Sequence, residues 1–212
     1  MATIAVVDYG MGNLRSVAKA FEHVAPKARV IITGEARAID AADRVVFPGQ
    51  GAMPDCMRHL AQSGLSEALL RAAATRPLFG VCVGEQMLFD WSAEGDTPGL
   101  GLFAGKVLRF PDDAMRSADG ARLKVPHMGW NTIEVRRPNP ILEASSSEQR
   151  FYFVHSFHAV CADPADVIAV AHHGIEFSAA IGRGNVLGAQ FHPEKSHRFG
   201  LALMRKFVEM PC

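Results

Sequence analysis

Apolar residues in the first half of the chain fall into short blocks divided by amphipathic stretches. Ile4 to Asp8, Val30 to Thr33, Arg44 to Phe47 and Leu78 to Val81 are brief and rich in Val, Ile, Leu and Phe, which predicts buried strands. Leu14 to His23 and Leu65 to Ala74 instead repeat their apolar positions at helical spacing. This alternation reads as βαβ units, because a parallel neighbour is reached only by a crossover that covers the sheet. The stretches Tyr9 to Asn13, Pro48 to Met53 and Cys82 to Gly84 each follow a predicted strand. They are therefore expected along one sheet edge, where ligands of open α/β sheets collect. A helix is expected from Glu85 to about Asp90.

The second half changes rhythm. Short extended stretches near Val107 to Phe110, Thr132 to Val135, Phe151 to Val154, Val167 to Ala171, Phe177 to Ile181 and Asn185 to Gln190 predict antiparallel additions to the sheet. A final helix over His197 to Glu209, with Phe199, Leu203 and Phe207 at helical spacing, is expected to pack back across it. Ser145-Ser146-Ser147-Glu148 reads as a surface turn. The whole pattern is α/β: a mainly parallel central sheet flanked by helices, with additional antiparallel strands. At roughly 150 residues per domain, a single domain over 1–212 is expected, with no repeat or linker to divide it.

Composition narrows the field of partners. Hydrophobic residues make up 49% and charged residues 21%, and the formal net charge is zero, so nothing favours nucleic acid or an acidic membrane. The apolar N-terminal run lacks a basic flank and is broken by Asp8, and no run is long enough to span a bilayer. Cys56, Cys82, Cys161 and Cys212 are widely and irregularly spaced, which fits a reducing, cytoplasmic setting rather than a disulfide framework. The nine histidines form no H-E-x-x-H pattern, and no metal or other cofactor is expected.

Candidate chemistry concentrates in two segments. Gly80-Val81-Cys82-Val83-Gly84 has the form G-x-C-x-G after an apolar run, the thiol counterpart of a nucleophile elbow. Gly80 and Gly84 leave room for a sharp strand-to-helix turn, and a helix start favours thiolate over thiol. Far downstream, Gln190-Phe191-His192-Pro193-Glu194 places His192 and Glu194 two apart. In an extended segment both point to one side, which suits a base and the carboxylate that orients it. A lone cysteine is more often a buried small hydrophobe; the flanking glycines and the His–Glu pair turn the reading toward a nucleophile.

These motifs, together with Phe47-Pro48-Gly49-Gln50-Gly51, resemble the class I glutamine amidotransferases, whose fold is flavodoxin-like. Asp8-Tyr9-Gly10-Met11-Gly12-Asn13, Pro126-His127-Met128-Gly129-Trp130-Asn131 and Tyr152-Phe153-Val154-His155-Ser156-Phe157 resemble, within that class, the glutaminase subunits of imidazole glycerol phosphate synthases. The resemblance covers nearly the whole chain. It implies that Cys82 attacks the side-chain amide of L-glutamine, with His192 as base and Glu194 orienting it. It implies oxyanion donors at Val83 and at Gln50 or Gly51, and a glutamine pocket formed by Gln86, Glu94, His155, Ser156 and Phe157. Many relatives have tyrosine where this chain has Phe157, so only a backbone contact is expected there. The partner implied is a separate cyclase subunit with a (β/α)8 barrel, forming a heterodimer through a face that includes Asn13 and Trp130, and receiving the ammonia.

Two rival readings remain at this stage. A cysteine peptidase would use the same elbow with an open peptide groove. An inert regulatory subunit would lack one of Cys82, His192 or Glu194, and none is missing.

Overall fold

The computed structural model describes residues 1–117, 119–142 and 148–211. Ser145 to Ser147 of the expected surface turn, and Cys212, lie outside the described residues. The first half runs β1 (Thr3–Val7), α1 (Leu14–Val24), β2 (Arg29–Thr33), α2 (Ala36–Ala41), β3 (Arg44–Gly49), α3 (Met53–Ser63), α4 (Ser66–Thr75), β4 (Leu78–Cys82) and α5 (Val83–Gln86). Then follow β5 (Phe89–Ser92), β6 (Thr97–Pro98), β7 (Phe103–Arg109), β8 (His127–Thr132), β9 (Glu134–Val135), β10 (Arg150–His155), β11 (Phe157–Cys161), β12 (Val167–His173), β13 (Ile175–Arg183), β14 (Val186–Ala189) and α6 (His197–Glu209).

The main sheet has the order β2-β1-β3-β4-β14-β13-β12-β9. From β2 through β14 the neighbours are parallel, and β13, β12 and β9 add on antiparallel. The fold is thus the expected α/β arrangement. Strand β4 lies between β3 and β14, buried along its full length, as the continuous apolar run of a central parallel strand requires. Phe207 of α6 packs on Phe79 of β4 and on Phe21 of α1, with ring centroids 5.3 and 6.0 Å apart, which fastens the last helix over the middle of the sheet.

Three expectations need correction. The helix over Glu85 to Asp90 is a single turn, α5, after which the chain turns extended as β5. Phe89, Trp91 and Ser92 alternate badly for a helix face, and this aromatic stretch suits a pleated edge joined to β6 and β7. Second, β14 is parallel, not antiparallel: a tight turn at Gly184 reverses the already antiparallel β13, so the chain re-enters alongside β4 in β4's own direction. Third, β7, β8, β10 and β11 do not extend the main sheet. They form two smaller sheets, β11-β7-β5-β6 and β10-β8.

The loops after β1 and β3 meet as expected. A Cβ built on Gly12 would lie 3.3 Å from the Pro48 carbonyl oxygen, and one on Gly51 would lie 3.3 Å from the Met11 methyl. The smaller sheets bring β10 and β11 toward this same edge, with Tyr152 of β10 bridging to His192.

Candidate active site

Cys82 ends β4 with φ 56° and ψ −115°, a region in which a residue with a Cβ is strained and persists only where its surroundings hold it. The surroundings are backbone. A Cβ on Gly49 would come within 2.5 Å of the Gly84 nitrogen, so β3 and the turn after Cys82 touch main chain to main chain. Val83 N–H is the first of the helical turn and has no acceptor within it. One turn gives far less dipole than the longer helix expected from sequence, so the helix start lends the sulfur little beyond its local N–H groups.

His192 is fastened at both ends of its peptide unit. Its N–H donates to the Tyr152 carbonyl at 2.9 Å, and the Ser196 hydroxyl donates to its carbonyl at 2.6 Å. The extended segment expected for His192 and Glu194 is only half correct: His192 is extended, but Pro193–Lys195 is a 3-10 turn. The turn still brings Glu194 Oε1 to 2.9 Å from His192 Nδ1, with the carboxylate side chain fully buried. Burial opposes a charge on His192, but the Cys82 thiol and the Glu194 carboxylate outweigh it and push the imidazole up to about 9. At neutral pH this favours the protonated imidazole, with Glu194 as its buried counter-charge.

A cavity of about 290 Å³ opens at Cys82 and His192. Gln50, Gly51, Val83, Gln86, Glu94, His155, Ser156 and Phe157, all expected from sequence, line it together. Glu194 stands behind His192, outside the lining. Asn13 and Trp130 are elsewhere: Asn13 precedes α1, and Trp130 on β8 is 42% exposed beside Met128 at 63%. The lining also includes Pro126 and Val154, which belong to the quoted motifs but have no pocket role there, and Lys195, which lies outside them.

Polar contacts settle how the pocket side chains face. Gln86 Nε2 donates to the Phe157 carbonyl at 3.1 Å and to Gln190 Oε1 at 2.8 Å, which leaves the Gln86 oxygen as an acceptor. Glu94 Oε2 accepts the Met53 N–H at the start of α3 at 2.8 Å. The Phe157 contact is through backbone, as expected for a chain lacking the hydroxyl. That carbonyl can only accept, so His155 Nδ1, 2.8 Å away, carries hydrogen. Burial holds His155 well below the usual histidine range, so the ring is neutral, its Nε2 accepts, and His127 Nδ1 donates at 2.9 Å. Cys56, which had no assigned role, donates its thiol hydrogen to the Gln50 carbonyl at 3.4 Å and so pins the loop beside Cys82.

Glu85 is the oddity of the site. It is fully buried behind the turn, and neither carboxylate oxygen has a hydrogen-bond partner among the described residues. Burial, with the nearby Cys82 adding to it, pushes its carboxyl well above 4.5. The folded chain therefore holds a proton that the unfolded chain releases, and stability falls as pH rises from 4.5 toward the folded value. Glu85→Met, close in shape and without the unpaired oxygens, is expected to stabilise the chain by about 1–3 kcal/mol near neutral pH. The gain should shrink toward pH 4.5 in thermal melts; a constant or negative difference would contradict a protonated, unpartnered carboxyl.

A thiol on a strained turn, an imidazole braced by a carboxylate and an amino-acid-sized cavity at a sheet edge have the form of a thiol-dependent amide hydrolase. The profile of the class-I glutamine amidotransferase family matches residues 5–210. The imidazole glycerol phosphate synthase subunit HisH of Aromatoleum aromaticum is 54% identical over 208 residues, covering 98% of each chain. The HisH subunit of Dechloromonas aromatica is 56% identical over 207 residues, covering 98% of this chain and 96% of its own. Among solved structures, PurLQS from Thermotoga maritima superposes with a TM-score of 0.73 at 20% identity, covering 98% of each chain. A glutamine amidotransferase crystal structure gives 0.70 at 19% identity, covering 97% of each, and at these identities the likeness concerns the fold alone. The chain belongs to the class I glutamine amidotransferases and, within them, to the HisH subunits of imidazole glycerol phosphate synthase. Among the described residues no helix is long and apolar enough to cross a membrane.

Proposed function

We propose that the chain hydrolyses the side-chain amide of L-glutamine through a thioester on Cys82 and passes the ammonia to a separate cyclase subunit. That subunit, a (β/α)8 barrel, would join it to a ribonucleotide intermediate, giving imidazole glycerol phosphate and aminoimidazole carboxamide ribotide. The reading rests on one observation above all: Cys82, on a strained turn, shares a single small cavity with His192, itself 2.9 Å from Glu194.

In this reading the Cys82 thiolate attacks the amide carbon and the C–N bond breaks. The His192 imidazolium gives its proton to the leaving nitrogen, which departs as ammonia. Neutral His192 then takes a proton from water as the water attacks the thioester, and glutamate leaves with the Cys82 thiol restored. Glu194 keeps the imidazole in the tautomer that presents Nε2 to these partners. In both steps negative charge builds on the amide oxygen, for which Val83 N–H and a donor from Gln50 or Gly51 are the assigned stabilisers. The free oxygen of Gln86 and the second oxygen of Glu94 supply two acceptors for the α-ammonium of glutamine. His155, Ser156 and Phe157 form the facing wall. The cavity, about 290 Å³, suits one amino acid better than a peptide and disfavours the peptidase reading. All of residues 1–212 would act as one amidotransferase domain.

Asn13 and Trp130 are assigned to the cyclase docking face. Met128 and Trp130 both stand out from β8 as exposed large apolar residues, the kind of surface that a partner covers. The test is glutamate release by the purified chain, alone and with the cyclase subunit and its ribonucleotide ligand. Strong stimulation by the pair is expected. Turnover indifferent to that barrel would keep the glutaminase and remove the cyclase from the proposal.

A further inference from the structure

Gln190 lies two residues before His192, is completely buried, and had no role in the motif reading. Its Nε2 is 3.8 Å from Cys82 Sγ, within the range of a hydrogen bond to sulfur. Which end of this amide faces the sulfur follows from its neighbours. The Phe157 carbonyl can only accept, so the Gln86 group facing it at 3.1 Å is the NH2. That same nitrogen is 2.8 Å from Gln190, which must meet it with its oxygen and turn its own NH2 toward Cys82. The Phe157 carbonyl is itself held by His155 Nδ1–H at 2.8 Å. A rotation of the Gln190 amide would put two donors face to face at Gln86 and remove the donor from the sulfur.

We propose that Gln190 is a positioning residue for the nucleophile: its amide N–H, locked in orientation by Gln86, is a donor to the Cys82 sulfur additional to His192 and holds it as an aimed thiolate. A sulfur held by His192 alone remains free to swing about χ1, whereas a second donor on a rigid mount limits that motion. Donation to a charged acceptor is also stronger than to a neutral one, so the contact favours the reactive form. The inference rests on Cys82 being the nucleophile.

The test follows iodoacetamide alkylation of Cys82 in the full-length chain across pH, by mass spectrometry of the Cys82 peptide, in the parent and in Gln190→Met. Loss of the donor is expected to move the midpoint of the alkylation–pH profile upward by about one pH unit. The plateau rate at high pH, where every thiol is ionised, should be unchanged. Gln190→Leu, which also lacks the donor, should move the midpoint in the same direction. A residue that only fills space would change stability, or access at all pH values equally. An unchanged midpoint in a variant that melts cooperatively would overturn the proposal. Should both variants fail to fold, the parent still decides it. The Gln190 side-chain NH2 resonances, in the ¹⁵N-labelled chain, are expected to move with pH in step with Cys82 alkylation. Resonances indifferent to that titration would equally overturn the idea. None of these readouts requires glutamine turnover, so a failure here is distinct from a failure of the glutaminase reading, which would show as turnover retained by Cys82→Ala.

Discussion

Glutamine hydrolysis by Cys82→Ala, assayed with the cyclase subunit present, is expected to fall by about ten-thousandfold to a millionfold, the scale seen when a covalent nucleophile is removed from a triad. The loss is this large because His192 and Glu194 have nothing to activate once the thiol is gone, and the oxyanion donors then act on an amide that meets no nucleophile. Stability should fall by no more than about 1–3 kcal/mol, the cost of leaving the buried Gln190 amide without its sulfur partner. Cys82 is a small buried side chain, alanine suffers the same strain at φ 56°, and the backbone contacts around the turn do not involve sulfur. Cyclase turnover fed with free ammonia should be preserved, because only the nitrogen source is cut off. Glutaminase activity surviving within tenfold of the parent would sink the assignment of the nucleophile. Equal loss of the ammonia-fed reaction would sink the division of labour between subunits.

Much of this site is legible in sequence because it depends on local chemistry. The turn at Cys82 needs small residues on both sides, and Gly80 and Gly84 announce it. The His192–Glu194 pair is only two residues apart, so its contact survives even though a 3-10 turn, rather than the expected extended segment, makes it. The strands β1, β3 and β4 show as apolar blocks because both faces of a central parallel strand are covered. The limits of α6 match the pattern because its apolar stripe faces the sheet for its whole length. Helix α3 is harder to see: Met53, Cys56 and Leu60 are its only buried side chains, too sparse a stripe to stand out after the glycine-rich Pro48 to Met53 stretch. Helix α2 buries only Ile39, too little for periodicity to reveal.

What sequence does not show is long-range. Gln190 meets Cys82 across 108 positions, and nothing beside it in the chain marks it as other than the residue before Phe191. The tautomers of His155 and His127 follow from the Phe157 carbonyl, whose direction is set only when β10 and β11 fold against the elbow. Glu85 reads as an ordinary acidic residue near a helix start, where it would complement a dipole. In the structure it is enclosed, because the one-turn helix directs it back over Gly188: a Cβ there would lie 2.6 Å from Glu85 Cγ.

The same close packing makes Gly84→Ala the second most damaging change expected. A Cβ on Gly84 would stand 1.9 Å from the Phe47 carbonyl oxygen and 3.2 Å from the Gly49 nitrogen, both main-chain atoms of β3. No rotamer relieves a clash with backbone, so either the turn after Cys82 or the end of β3 must move. The cost in stability is about 1–3 kcal/mol or more, the range for forcing extra atoms into a packed interior. The cost in activity should be larger. Moving β3 carries Gln50 and Gly51 away from Cys82, and moving the turn displaces Val83 N–H, so either adjustment separates the two backbone donors assigned to the oxyanion. A shift of about 1 Å in such a constellation is worth on the order of a hundredfold in rate. The variant should therefore lose about a hundredfold in kcat for glutamine while a folded fraction still alkylates at Cys82, since the thiol and His192 remain beside each other. That split between a lost rate and a reactive thiol locates the damage in the oxyanion donors; parental kcat in Gly84→Ala would show that β3 and the elbow are not the tightly matched pair that holds the site together.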